Sequence, residues 1–479
     1  SQRLLARQAK TSSLSAALPG MLAALRDDDP PVRLNAAPLF YLPDPFPPEI
    51  ARRLAGILGE DEPLSAALMG PLSTQAEKSA EVAGVLREAL GGAGRAKAWI
   101  AMALWTTDME AATRHLVAAL DRGTPFVRAQ AALAVTETLP KPAEVEAALV
   151  RRLRDTDFDA RLAALRALAN LRCPGAVIPD AALVLAADEP AAVRTAAAYC
   201  LGKVRDRRDE AVAPLLAAIG DADPQVRYAV VLALGWLDEH AAEAAPALAA
   251  IAAKPAEGSD LRQAAAVSLG RIQVWSDAVR DALFAMLADD DAWVRRQAAD
   301  AVRSLTFYTP RILDAPGPVV DALRAVLAAR PDGHDASSIC DALGRFGPAA
   351  APAEDVLRVQ FEKEGYVRTA AAFALCSIHR DAAEPHPALA VLVEALAGDD
   401  RFRVTQFLRH LGPAAAPAVP ALMRALEDAH AGAGAIQALG AVGPAAKGAV
   451  PALRRIAGGD GDPRVKELAA EALGKIEPR

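Results

Sequence analysis

The sequence predicts an all-α chain built as an α-solenoid, on three observations. The apolar fraction is 53%, much of it alanine, while aromatics supply only 4%; alanine favours helices and fills little volume, so many closely packed helices are expected over bulky β layers. A Val-Arg pair recurs at Val127-Arg128, Val193-Arg194, Val226-Arg227, Val294-Arg295 and Val367-Arg368, with apolar residues following in the same register. A chain of 479 residues would ordinarily divide into about three domains of roughly 150 residues, unless repeats extend it along one axis.

Taking the arginine as a marker, the register falls at Arg33, Ser65, Lys97, Arg128, Arg161, Arg194, Arg227, Arg262, Arg295, Ala336, Arg368, Val404, Gly432 and Lys466, with steps of 28 to 41 residues. From Arg128 to Arg227 each step is 33 residues. Such a period predicts about fourteen helical pairs. Residues 212–237 show how one pair arises. Val212, Leu215, Leu216 and Ile219 form the apolar stripe of a first helix, which Gly220 ends. In Asp221-Ala222-Asp223-Pro224, Asp223 can accept the orphan N–H groups of the next helix while Pro224 stands where no N–H is needed. The second helix then buries Val226, Ala229, Val230, Ala233, Leu234 and Leu237, whose small members let neighbours approach closely. Variants of the turn recur at Asp29-Pro30, Asp157-Phe158, Glu189-Pro190, Asp291-Ala292 and Asp462-Pro463.

The Asp-Ala-Asp-Pro-Gln-Val-Arg turn at 221–227, the Gly-Pro-Ala-Ala runs at 347–350, 412–415 and 443–446, and the Val-Pro-Ala-Leu runs at 419–422 and 450–453 carry a family resemblance. The chain resembles the HEAT-repeat family over nearly its whole length, especially the short bacterial HEAT-like form related to the repeats of phycobilin lyases. The resemblance implies a right-handed superhelix of HEAT-like pairs. It also implies a ladder between successive repeats formed by the turn aspartate and the marker arginine, giving Asp223 and Arg227 structural roles. Ser65, Ala336, Val404 and Gly432 depart from the marker.

One solenoid is expected over residues 1–479. Thr309-Pro310 through Pro316-Gly317-Pro318 interrupts the period, which predicts a change of curvature or a hinge at 304–318. Leu42 to Pro48 holds four prolines in seven residues and should form a rigid loop. His430 to Gly461 is glycine-rich and should be the loosest region, next to a terminal capping repeat that ends at Ile476.

Counting the Val of each pair as zero, the helical period buries positions 0, 3, 4, 7, 8 and 11 and leaves 2, 6 and 9 on the concave side. Position 6 includes Met102, Leu133, Tyr199, Leu232 and Val267, and position 2 includes Leu162 and Tyr228. This strip is largely apolar, whereas from Asp300 onward the same positions become mostly polar. A contiguous apolar strip marks an interaction site, and tyrosine suits a surface that stays wet at one end. Trp99, Trp236, Trp275 and Trp293 read as packing or helix-end anchors.

Catalytic patterns fail. The seven histidines form no HExxH and no paired metal spacing, and no GxSxG or P-loop occurs. His379-Arg380-Asp381 imitates a kinase triplet without its context, and the absence of a His-Glu dipeptide argues against di-iron HEAT hydroxylases. The expectation is therefore no metal, no cofactor and no enzyme. Four dispersed cysteines suit reduced thiols in a cytoplasm, and no long apolar run suggests a membrane span.

The leading functional reading is a non-enzymatic scaffold or adaptor that binds a partner protein or peptide along Met102, Leu133, Leu162, Tyr199, Tyr228, Leu232 and Val267. Two alternatives follow from resemblance. One is nucleic-acid binding, as in HEAT-like alkylpurine DNA glycosylases, which a net charge of −7 and a concave row with few basic residues oppose. The other is a bilin-lyase-like enzyme or chaperone subunit, for which no acid, base or thiol with a supporting neighbour can be nominated.

Overall fold

The structure, a computed structural model, describes residues 17–42, 44–92, 95–135, 142–186, 188–428 and 432–477. Among these, helices follow one another as fourteen pairs, from 17–24 with Pro30–Ala36 to Val450–Gly458 with Pro463–Ile476. No helix among the described residues is long and apolar enough to cross a membrane. Contacts divide the chain into two units, Ser1–Ala233 and Leu234–Arg479.

Each unit is a stack. In the first, second helices pack in sequence, Pro125–Ala134 on Phe158–Asn170 and that on Ala191–Gly202, while first helices do the same, Met109–Arg122 on Ala143–Arg152. In the second, Ser259–Ile272, Ala292–Tyr308, Ala336–Arg345 and Gly365–Ile378 continue the pattern. Small residues set the spacing. A Cβ on Gly202 would stand 2.6 Å from the Ala233 Cα, and one on Gly440 would stand 3.0 Å from the Ala472 Cα. The glycines of 432–442 thus serve close helix approach: Gly432, Gly434 and Gly440 are buried, and this helix is a packed one. His430 lies outside the described residues.

Local chemistry ends and starts the helices as the composition implies. Asp223 Oδ1 accepts from the Gln225 N–H at 2.8 Å and from Val226 at 3.3 Å, and Asp157 Oδ1 accepts from Ala160 at 2.9 Å. The Gly-Pro-Ala-Ala runs are the connections between pairs. Gly347, Gly412 and Gly443 take φ values of 58°, 58° and 71°, a left-handed cap that only glycine adopts without strain, and proline then opens a short 3₁₀ segment leading into the next first helix.

The ladder exists, with its acid displaced from the expected residue. Arg194 pairs with Asp221 through two bonds of 2.9 Å, and Asp221 Oδ1 also accepts from the Asp223 N–H at 2.8 Å. Arg227 in turn donates to the Asp221 carbonyl at 2.9 Å. Asp221 therefore carries the rung while Asp223 caps the helix. Rungs from the same arginine position are Arg33–Asp61, Arg128–Asp155 and Arg161–Glu189 in the first unit and Arg262–Asp289 and Arg295–Asp335 in the second, with Asp61 and Asp335 standing at the cap position itself; Arg401, the first residue of its helix, pairs with Asp428 from a different place. Glu189 serves as a rung, and Pro190 takes the cap position in its place. Ser65, at a marker position without arginine, is buried and bonds within its own turn, donating to the Asp61 carbonyl at 2.7 Å and accepting from the Gly59 N–H at 2.9 Å.

Two irregular segments are tied down by side chains. The described part of the proline loop is held by buried Gln75, whose Oε1 accepts from Phe46 N–H and whose Nε2 donates to the Leu42 carbonyl, both at 3.0 Å. Within 304–318 the helix continues to Tyr308, a 3₁₀ turn spans Pro310–Leu313, and Thr309 Oγ1 donates to the Gln273 carbonyl at 3.0 Å. The division between the two units falls inside Pro224–Trp236, well before this segment.

Candidate functional site

The first unit carries six of the seven strip residues. Leu133, on Pro125–Ala134, is 51% exposed, and Leu162, on the neighbouring Phe158–Asn170, is half-buried. The two line a groove of about 470 Å³, together with Phe126, Gln130 and Arg166. Apolar walls with Arg166, Asp157 and Asp159 at the edges present both anchoring area and orienting charge. Phe126 is held from below by buried Trp99, the ring centroids 6.3 Å apart.

Further along the stack, Tyr199 is half-buried, Tyr228 is 37% exposed and Leu232 is half-buried. Burial first, and the nearby Tyr228 second, raise the Tyr199 pKa, so its phenol stays neutral and hydrogen-bonding at physiological pH. Val267 is half-buried in the second unit.

Met102 does not belong to this surface: it is 4% exposed, within a run from Trp99 to Leu104 that is buried throughout. The reason is register. In most marked repeats the arginine is the fourth residue of its helix, as in Pro125–Ala134 or Ala191–Gly202. The third repeat begins its helix at Ala96, so its fourth residue is Trp99 and not Lys97, which moves Met102 onto the buried side. The same shift affects Ala336, where the helix starts at that residue, and it buries Asp341.

The periodic reading also missed exposed aromatics at the start of second helices. Phe126, Trp293, Tyr366 and Phe402 occupy the same place, one residue before the Val position, and are 37%, 55%, 57% and 61% exposed. Trp293 is thus no packing anchor. The signal was legible in the sequence, as four aromatics at one register position.

The remaining chemistry is quiet. All four cysteines are buried. Cys173 and Cys200 stand with sulfurs 3.4 Å apart, and this hydrogen bond, followed by burial, raises the Cys200 pKa. Burial alone pushes Cys376 up to about 12. Thiols so displaced hold little thiolate and are poor nucleophiles at neutral pH. His379 Nε2 lies 3.3 Å from Glu354 Oε2 and its ring stacks on His386 at 5.0 Å. Among the described residues no group of three histidine, cysteine or acidic side chains could hold a metal ion.

Residues 178–270 match the family described as HEAT repeats, a stretch that holds the marker arginines Arg194, Arg227 and Arg262. Residues 178–270 are HEAT repeats. Among solved structures the chain is similar to Kap121p bound to Nup53p, with a TM-score of 0.57 and 13% identity over 97% of this chain and 61% of that one. It is similar too to the karyopherin Kap121p bound to the extreme C-terminus of the protein phosphatase Cdc14p, with a TM-score of 0.55 and 13% identity over 96% and 62%. A third likeness is to Kap95p in a structure concerned with its binding to RanGDP, with a TM-score of 0.51 and 11% identity over 96% and 72%. The chain spans about three-fifths of the length of the Kap121p structures it matches. No curated protein matches it in sequence.

Proposed function

We propose that the chain is a non-enzymatic scaffold or adaptor that holds a segment of a partner protein along the inner helix faces of its repeats. The single observation that carries this reading is the groove between Pro125–Ala134 and Phe158–Asn170, whose walls include exposed Leu133 and half-buried Leu162. Leu133 and Leu162 would anchor an apolar side chain, and Tyr199, Tyr228 and Leu232 would extend the contact along the first unit; Val267 is a separate half-buried apolar position of the second unit. Large apolar side chains in such positions dominate binding energy when they fill a pocket. The solved structures of similar fold support the reading, since Kap121p is bound there to Nup53p, to Ste12p and to a Cdc14p terminus. We place the protein in the cytoplasm, where buried free thiols persist.

The test is affinity capture from native lysate with the wild type and a Leu133→Glu/Tyr228→Glu variant as paired baits, with nuclease treatment as a control. A charge within the groove disfavours an apolar occupant by desolvation, so the variant should lose a partner that the wild type retains. Recovery of the same partners by both baits removes the strip as the site. Recovery that disappears with nuclease transfers the assignment to a nucleic acid.

A further inference from the structure

Four second helices of the second unit, Ala292–Tyr308, Ala336–Arg345, Gly365–Ile378 and Arg401–Leu411, gather arginines in a way that no ladder rung does. Asp341, 3% exposed, accepts from Arg345 Nε at 3.2 Å and from Arg403 Nη2 at 3.4 Å, and Arg303 Nε stands 3.7 Å from the same carboxylate. Each contact is single and long, whereas the Arg295–Asp335 rung closes through two bonds of 2.7 and 3.0 Å. Arg303 and Arg296 share Asp300 at 3.5 and 3.9 Å. Arg409 reaches across to place its guanidinium 5.6 Å from the Phe307 ring centre while Nη1 donates to Gln437 Oε1 at 3.2 Å.

The charges do not balance. Arginines 296, 303, 345 and 403 face Asp300, Asp341 and Asp400, and Arg409 adds a further charge whose bordering acid, Glu471, is paired with Lys475, which leaves a surplus of two positive charges. Neighbouring groups register it. Burial lowers the Arg345 pKa, and Arg303 and Arg409 lower it further against the pull of Asp341. Burial pushes His410 down to about 4, with Arg345, Arg380 and Arg409 acting in the same direction, so it adds no charge near neutrality. The platform is rigid: Phe373 and Phe407 stack at 4.3 Å, with Arg345 and Arg403 at 5.2 and 5.7 Å from their rings. A guanidinium held by an aromatic ring keeps N–H donors free for an oxyanion.

We propose that this cluster is a binding site for a phosphate-type dianion, with Arg303, Arg403 and Arg409 supplying accessible donors and Arg345, seated by Asp341, forming the floor. A phosphate monoester carries about −1.5 to −2 charges at neutral pH and pairs with guanidinium forks, so it matches the surplus in both sign and size. The phosphate can belong to a small molecule or to a phosphorylated side chain of a partner; the chemistry recognised is the same. This site is separate from the apolar strip of the first unit and does not depend on it.

The experiment is titration calorimetry of the full chain with inorganic phosphate, and with a phosphoserine peptide and its unphosphorylated counterpart, at two salt concentrations. Wild type should bind at least one phosphate probe, more weakly at high salt, and not the unphosphorylated peptide. Binding of inorganic phosphate identifies a free anion as sufficient; binding of the phosphopeptide alone identifies a phosphorylated segment. Arg303→Gln/Arg403→Gln, at side chains 35% and 33% exposed, should keep the circular dichroism spectrum and weaken binding at least tenfold. Arg409→Gln, which leaves the Asp341 contacts in place, provides an independent loss of several-fold. Leu133→Glu should bind phosphate as wild type does. Failure of wild type to bind either phosphate probe overturns the proposal, as does unchanged binding by both arginine variants.

Discussion

The ladder and the arginine cluster of the second unit are built from the same two residue types in different proportions. In the ladder an arginine faces a carboxylate of the next repeat, at best through two bonds, and further donors go to carbonyls of its own turn, as when Arg295 pairs with Asp335 while its Nη1 donates to the Asp289 and Asp290 carbonyls at 2.9 Å. In the cluster three guanidiniums share Asp341 through long single contacts. The difference teaches that arginine in a helical repeat is structural where it is buried against a facing carboxylate, as Arg262 and Arg295 are at 8% and 3% exposure, and open to recognition where several partly exposed guanidiniums share one acid, as Arg303 and Arg403 do at 35% and 33%.

The largest effect should come from breaking the most buried rung. Arg295 and Asp335 are 3% and 1% exposed, so Asp335→Ala leaves a buried cation without its partner and should cost about 3–5 kcal/mol in urea unfolding. Replacing the spacing glycine comes next. Gly202→Ala forces a Cβ against Ala233 and should cost about 1–3 kcal/mol, which thermal denaturation can register, without touching any charge.

A titration separates the two arrangements further. His410 is held neutral in the fold with a pKa of about 4, below its ordinary value, so its share of stability is complete above about pH 6.5 and is lost as pH falls towards 4. Replacing it by His410→Phe should flatten the unfolding midpoint over that window. In the ladder, Arg194 and then the Asp223 N–H hold Asp221 below the usual carboxylate value against burial. The rung's contribution is therefore complete above about pH 4 and is lost as pH falls through the lowered pKa, and Asp221→Asn should remove that acid-dependent part. The smallest effect belongs to Arg33–Asp61, whose side chains are 22% and 25% exposed: Asp61→Asn should cost about 0.2–1 kcal/mol in chemical unfolding, less at high salt.

Much of this was legible because repetition averages over local irregularity. The marker arginine predicts helix starts at Pro125, Ala191 and Pro224, and with them the partial exposure of Leu133, Tyr199 and Leu232. Where no arginine marks the repeat, as around Lys97 and Ala336, alanine-rich helices offer several equivalent apolar phases, and the register slipped by two or three residues. That slip put Met102 on the wrong face. The displaced ladder acid has a related cause: in Asp221-Ala222-Asp223 both aspartates suit a turn, and only the reach of Arg194 from the preceding repeat decides between them.

By itself the sequence determined the all-α class, the fourteen pairs, the capping turns and the glycine connections, since each depends on backbone geometry and short-range periodicity within about 30 residues. Only the tertiary structure decided which side chains meet. Arg403 and Asp341 lie 62 residues apart, and Arg409 and Phe307 still farther, on helices separated in the stack. Such contacts depend on how successive pairs rotate against one another, a sum of small packing angles that no local pattern encodes.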